Sequence, residues 1–318
     1  MIAAVLPPAG EPWIFTEGSV EHGSGQRPDR RTVWQIGSVT KTFTATLLAR
    51  AVHRGSVHLD GALQRFVRSE LPTYDTYNAS VPIRFVDAAT HTAGLPLDPR
   101  GVPPGGYSTQ QMYKDLSQYA LAVEPGTSWN YSNTGFGLLA NVLVAVEGAP
   151  DYGALVESLK ESAELPMPDT RLHLTPEEKE RLAMGYSAPG TRAPLRTSTW
   201  PAFDGSGALY STLDDLLIWL AFNLGRRPSP ESGLLALSQR VYFNNGTQRM
   251  GLAWEKGLFG VPGRPFWSKG GVTNGFASFL AFDHELRAGV AILTNSSYAY
   301  PQVLATTILE ILVSSGPG

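Results

Sequence analysis

A serine and a lysine three residues apart, Ser38 and Lys41 in the run Gly37-Ser38-Val39-Thr40-Lys41, open a stretch with helical apolar spacing. Residues i and i+3 of a helix project from one face, about 5–6 Å apart at Cβ. A serine hydroxyl becomes a nucleophile when a base takes its proton, and a lysine can do so when burial or a nearby cation lowers its pKa. The helix N-terminus adds a field that favours a developing oxyanion. The competing reading is structural, with Ser38 capping the helix and Lys41 an ordinary surface residue. The pair alone leaves both readings open.

Composition narrows the choice. Of the 25 cations in this 318-residue chain, 19 are arginine and 6 lysine. Arginine serves most surface and ion-pair roles but cannot give up its proton in a protein, so each lysine is worth a question. There are no cysteines, which removes thiol nucleophiles, disulfides, thiolate metal sites and iron–sulfur clusters together. The net charge of −3 supplies no global basic field for nucleic acid or an anionic membrane. The longest apolar runs, such as Leu216–Leu220, are far too short for a membrane span.

Two further segments resolve the reading of Ser38. Trp129-Asn130-Tyr131-Ser132-Asn133 places a tyrosine and two amides before a second helix, and Trp267-Ser268-Lys269-Gly270-Gly271, followed by Val272, lies on an expected strand. The order Ser-x-x-Lys, Tyr-x-Asn, Lys-x-Gly resembles the penicillin-recognising serine hydrolases. Nearly the whole chain is similar to the class C β-lactamase-like family of penicillin-binding proteins, D,D-carboxypeptidase/endopeptidases and family VIII-type esterases. Thr90-His91-Thr92-Ala93-Gly94-Leu95-Pro96 and Gly207–Thr212 with Asp215 add to the likeness.

The resemblance implies a role for each residue. Ser38 would form an acyl-enzyme. Lys41 and Tyr131 would share the proton transfers, with Tyr131 a phenolate held down by Lys41 and Lys269. Asn133 would orient the acyl-side amide of the substrate, and Lys269 would offer it a cation. The backbone N–H groups of Ser38 and Val272 would form an oxyanion hole, and Gly271 would let substrate backbone lie against the strand. No cofactor is implied, and the partner is a small molecule or peptide: a peptidoglycan-like peptide, a β-lactam or an ester. The main alternative is a carboxylesterase or D-amino-acid peptidase with weak β-lactam activity. A non-catalytic binding or regulatory relative is the alternative of another class.

Two departures stand out. Gly270 occupies the position where the family carries Thr or Ser, whose hydroxyl helps bind a substrate carboxylate. Relatives also carry a helix before the first strand, so one sheet face here needs other cover. The start Met1–Pro7 has no basic n-region, so no signal peptide is expected; the resemblance implies a periplasmic or secreted protein if an export signal has been removed.

The elements that must position these groups follow from period and punctuation. Ile2 to Leu6 and Trp13 to Val20 read as a hairpin, and Val39 to Val52 as an amphipathic helix closed by Gly55. Ser108 with Gln111 opens a helix to about 122, residues 134–147 form another, Thr175-Pro176-Glu177-Glu178 starts a third, and Thr212 with Asp215 opens one through Leu224. Met250–Trp254, Phe266–Lys269, Ala277–Phe282 and Ala288–Thr294 read as four strands of an antiparallel meander, before a last helix over 301–314. The fold class is therefore mixed α/β (α+β), of the β-lactamase/transpeptidase-like kind. Residues 1–55 and 200–318 would form an α/β domain around a central antiparallel sheet. Residues 56–199 would be an inserted, mainly helical domain, with the site in the cleft between them.

Rival motifs fall away. Gly135-Phe136-Gly137-Leu138-Leu139-Ala140 fits the dinucleotide fingerprint without its preceding strand or following acid, and no serine sits in Gly-x-Ser-x-Gly. The six histidines lack metal-ligand spacing; His91 reads as a hydrogen-bonding structural residue.

Overall fold

The computed structural model describes residues 1–76, 79–99, 106–193, 200–261 and 264–315. Its centre is an eight-stranded antiparallel sheet built from both ends of the chain: β1 (Ile2–Leu6), β2 (Trp13–Thr16), β3 (Phe243–Asn244), β4 (Arg249–Met250), β5 (Glu255–Val261), β6 (Arg264–Val272), β7 (Ala277–Asp283) and β8 (Ala288–Thr294). Their order is β2-β1-β8-β7-β6-β5-β4-β3. The period of two sorts the side chains between two cores. Ile2, Ala4, Leu280, Phe282, Ala291 and Leu293 join the larger core, while Ala3, Val5, Phe279, Ala281, Val290 and Ile292 join the smaller one on the other face.

Six helices of eight or more residues stand among the described residues: α1 (Thr40–His53), α2 (Thr109–Leu116), α3 (Asn133–Glu147), α4 (Tyr152–Ser162), α5 (Leu213–Asn223) and α6 (Pro301–Ser315). Two caps, Ser108 and Thr212, are those expected from the sequence; Ser132 and Asp151 are further caps, and the helix that Asp151 opens, α4, was not expected. Ser108, Ser132, Asp151 and Thr212 each accept a backbone N–H of the first turn, and Gly148 closes α3 at φ 63°. Between 56 and 199 the described residues supply α2 to α4, the short helices Phe85–Ala89 and Pro176–Glu180, and two two-stranded sheets, Thr73–Asp75 with Ser80–Pro82 and Tyr186–Ala188 with Thr191–Arg192. The smaller core rests on α6, through Ala305 and Leu309. Past that cover, Trp13 (50%) and Phe15 (55%) remain exposed on edge strand β2.

Several expectations are revised. α1 is not amphipathic: every residue from Thr40 to Ala51 is buried. Threonines suit this because Thr42 and Thr46 return their hydroxyls to Val39 O and Thr42 O. The helix begun by Ser108 ends at Leu116, and the box at Thr175 opens only a five-residue helix, Pro176–Glu180. Met250–Trp254 is not a strand beyond Met250. Gly251–Ala253 is a buried turn, with Ala253 at φ 62° and the Leu252 and Ala253 N–H groups donating to Ser238 O and Ala89 O. A buried turn and a buried strand share the same apolar run, so the sequence does not separate them. The strand beginning at Glu255 lies just beyond.

Candidate active site

Ser38 stands on a single 3₁₀ turn, Gly37–Val39, that leads into α1. The turn is pinned from both sides. Trp34 and Gln35 pair antiparallel with Ser211 and Tyr210, and the Ser278 hydroxyl on β7 donates to Ile36 O at 2.7 Å. Gly37 adopts φ +49°, and a Cβ there would lie 2.8 Å from Val272 N. A Cβ on Gly271 would stand 2.1 Å from Ile36 O and 2.8 Å from Ser38 N. The two glycines therefore let the Ser38 turn lie directly on the end of β6. The missing side chain of Gly271 makes room for the protein's own Ile36–Ser38 backbone, and Gly271 also lines the cleft. The close approach also brings the Ser38 and Val272 backbone nitrogens to one seam, as an oxyanion hole requires.

Lys41 is fully buried one turn further along. Its Nζ donates to Ser38 Oγ at 3.0 Å, Asn133 Oδ1 at 2.7 Å and Ser206 O at 2.5 Å. Three convergent acceptors describe an ammonium with its donors engaged. Ser206 comes from the short helix Asp204–Gly207, where Gly205 permits close approach: a Cβ there would lie 2.2 Å from Ala140 Cβ. Asn133, the first residue of α3, donates its other amide end, Nδ2, to Asp98 Oδ1 at 2.9 Å. Asn133 is thus engaged at both ends within the protein, and Asp98 is a member of the network that no sequence motif announces.

Tyr131 completes the group. The Lys41 and Lys269 ammonium nitrogens lie 5.0 and 4.8 Å from its ring centroid. Burial pushes its phenol up; Lys269 and Lys41, with hydrogen bonds to Ser38 and Lys41, outweigh this and bring it down to about 8. The loop carrying it is locked by His91, whose O accepts from Asn130 N and whose Nδ1 accepts from Ser132 N at 3.0 Å. That acceptor role places the proton of the neutral ring on Nε2. His91 is itself at φ 61°, with its ring 4.1 Å from that of Tyr131. Burial, then Lys269 and Lys41, drive the imidazole well below its usual range, so it stays neutral beside the two lysines.

Lys269 on β6 is 2% exposed, and its Nζ donates to Glu255 Oε1 at 2.9 Å. Burial works against the ammonium, but Glu255 and Tyr131 outweigh it and hold its pKa above the ordinary lysine range. Sequence reasoning missed Glu255 because its expected strand ended one residue earlier. These side chains border a cleft of about 430 Å³, lined by Ser38, Tyr131, Asn133, Glu255, Lys269 and Gly270–Val272, with Ser278, Phe279, Pro301 and Gln302 beyond. Tyr107, which packs buried against Phe203, is not among its walls. The arrangement can supply a hydroxyl nucleophile, an acidified phenol to take its proton, and two backbone donors for an oxyanion.

The family model described as Beta-lactamase matches residues 2–313. Among individual proteins, the D-alanyl-D-alanine-carboxypeptidase/endopeptidase AmpH of Escherichia coli K12 is 28% identical over 307 residues, covering 88% of this chain and 75% of that protein. A Beta-lactamase of the same organism is 28% identical over 327 residues, covering 92% of this chain and 83% of its own. The crystal structure of a Beta-lactamase/D-alanine carboxypeptidase from Yersinia pestis superposes with a TM-score of 0.84 at 24% identity, covering 99% of this chain and 92% of that one.

Proposed function

This chain belongs to the Beta-lactamase family and is a serine hydrolase of the penicillin-binding-protein-like type; we propose that it works through an acyl-enzyme on Ser38. The observation that carries the assignment is the buried Lys41 Nζ, 3.0 Å from Ser38 Oγ and within the electrostatic reach of Tyr131. Tyr131, ionised, takes the Ser38 proton as Oγ bonds to the substrate carbonyl carbon. The Ser38 and Val272 N–H groups hold the oxyanion. The bond from that carbon to the leaving oxygen or nitrogen then breaks, and Tyr131 returns the proton to the leaving atom. Water, deprotonated by the same phenolate, attacks the acyl carbon; the bond from that carbon to Ser38 Oγ breaks as Tyr131 gives the proton to Oγ, which releases the acid and frees Ser38. Lys41 and Lys269 keep the phenol acidic, and Lys41 also anchors the Ser38 hydroxyl.

Small acyl donors are the substrate class. D-Alanyl peptides and β-lactams are the donors suggested by the relatives' names; neutral esters are the second reading, favoured by the Glu255–Lys269 pair. The test is to incubate the protein and its Ser38→Ala variant with a reactive penicillin and with a fluorophosphonate, then read intact mass. An adduct with at least one probe, absent from the variant, is expected. A penicillin adduct lasting hours favours a peptidase, rapid penicillin turnover a β-lactamase, and fluorophosphonate labelling alone an esterase. No adduct with either would overturn the acyl-enzyme and favour a binding module.

A further inference from the structure

The chain holds two Asn-Gly pairs, Asn245-Gly246 and Asn274-Gly275. In such a pair the glycine nitrogen reaches the asparagine side-chain carbonyl with no β-carbon in its way, and asparagine is thermolabile in consequence. The structure treats the two pairs differently. Asn245 lies at the tip of the β3–β4 hairpin, where its Oδ1 accepts from Thr247 N at 3.1 Å and Gln248 N at 2.7 Å, while Gly246 N donates to Asn244 Oδ1 at 3.0 Å. There the nucleophile holds its proton against an acceptor, and the side chain is not free to rotate onto it. Asn274 stands exposed in the turn between β6 and β7. Among the described residues, neither its side chain nor the Gly275 N–H has a hydrogen-bond partner.

We propose that Asn274 is a site of spontaneous modification beside the cleft: it deamidates, and its isoaspartyl form slows acylation by displacing the Val272 N–H. The effect on acylation rests on the acyl-enzyme reading; the modification does not. Gly275 N loses its proton to hydroxide and bonds to Asn274 Cγ. The Cγ–Nδ2 bond then breaks, and Nδ2 takes a proton from water and leaves as ammonia, which closes a five-membered succinimide. A second water opens the ring. Attack at Cγ returns the normal backbone as aspartate, whereas attack at the main-chain carbonyl leaves isoaspartate, whose backbone is one methylene longer. That extra length has to be taken up on one side of the link. Gly275 has no space to give: a Cβ there would lie 2.7 Å from Gly185 Cα and 2.8 Å from Ala193 Cβ, and its O accepts from Tyr186 N at 3.1 Å. Phe276 beyond it is buried. Across the turn Thr273 N donates to Phe276 O at 2.9 Å, a bond that spans the lengthened link. Before it comes Val272, the last residue of β6 and 61% exposed. The displacement therefore runs toward Val272, whose nitrogen lies against the Ser38 turn at Gly37 and is one of the two oxyanion donors.

The experiment ages the full chain and its Asn274→Gln and Asn274→Asp variants in mildly alkaline buffer. Samples are read in two ways: proteolytic peptide masses with isoaspartate-specific methylation, and the rate of fluorophosphonate labelling of Ser38. A gain of one mass unit is expected in the Asn274 peptide before the Asn245 peptide, with isoaspartate among the products. The labelling rate of the isoaspartyl fraction should fall by about tenfold or more. Asn274→Gln would have to close a six-membered ring, so it should keep both its mass and its labelling rate. Fresh Asn274→Asp carries the new charge on a normal backbone and should label near the wild-type rate. Deamidation at Asn245 first, or none at Asn274, overturns the site. Equal loss of labelling in aged Asn274→Gln, or slow labelling by fresh Asn274→Asp, overturns the displacement of Val272. A fresh wild type that does not label defeats the acyl-enzyme reading and the claimed effect with it, while the peptide masses still decide the modification.

Discussion

Tyr131 sets the pH dependence of the residue network. Its phenol sits at about 8 because two lysines outweigh its burial, so the base form grows as pH rises through that value. Acylation should therefore climb with pH below about 8 and level off above it, as stopped-flow acylation by a chromogenic ester would show. Lys269→Met removes one of the two cations, and the rising limb should move to higher pH. Lys41→Arg is a different experiment, since it keeps the charge. A planar guanidinium cannot place donors on Ser38 Oγ, Asn133 Oδ1 and Ser206 O as the ammonium does. Acylation should fall by about 10²-fold or more while the limb stays near its place. Near-normal acylation would reduce Lys41 to a fixed charge. The five side chains of the three motifs were legible in the sequence because each is a chemically distinctive type at a motif spacing. Glu255, Asp98 and Ser206 were not, because each enters through a tertiary contact with no fixed offset from a motif.

At the scale of elements, the nucleophile is placed by two glycines more than by any helix. Gly271 gives its Cβ space to Ile36 O and Ser38 N, whereas a Cβ on Gly270 would meet the Phe279 ring at ordinary contact distance, 3.4 Å. Gly271→Ala must push the Ser38 turn off β6, so acylation should drop by more than about 10²-fold through misplacement of the nucleophile and the oxyanion donors. Gly270→Ala should melt near the wild-type temperature, and calorimetry on the pair checks the contrast. Equal melting losses in both would mean that β6 is merely intolerant of Cβ atoms. Two helix starts were readable because Ser108 and Thr212 cap them by local bonds, whereas the equally local cap Asp151 went unread and α4 with it. The turn at Gly251–Ala253 was not readable, because backbone bonds to Ser238 O and Ala89 O decide it and apolar content is the same either way.

Over the whole molecule, the sheet has unequal cover. One face carries a large core that includes α1 and α5, while the other depends on α6 for a small cluster of Ala3, Val5, Phe266, Phe279, Ala281, Val290, Ile292, Ala305 and Leu309. The same helix begins at Pro301 and Gln302, which wall the cleft. One helix therefore both covers the sheet and walls the cleft. Leu309 is fully buried, so Leu309→Ala should cost about 2–5 kcal/mol, the usual penalty for a core leucine whose surroundings close only in part. Because Phe279 belongs to this cluster and also faces Gly270, loosening α6 should reach the part of the cleft walled by Gly270, Phe279, Pro301 and Gln302. It should spare the Lys41–Ser38 contact, which lies on the opposite, well-filled side. The expected pattern is a clear fall in melting temperature with the fluorophosphonate labelling rate held at saturating probe, and a raised KM for esters with bulky leaving groups. If labelling falls in step with stability while KM is unchanged, α6 supports the fold as a whole and not the cleft in particular.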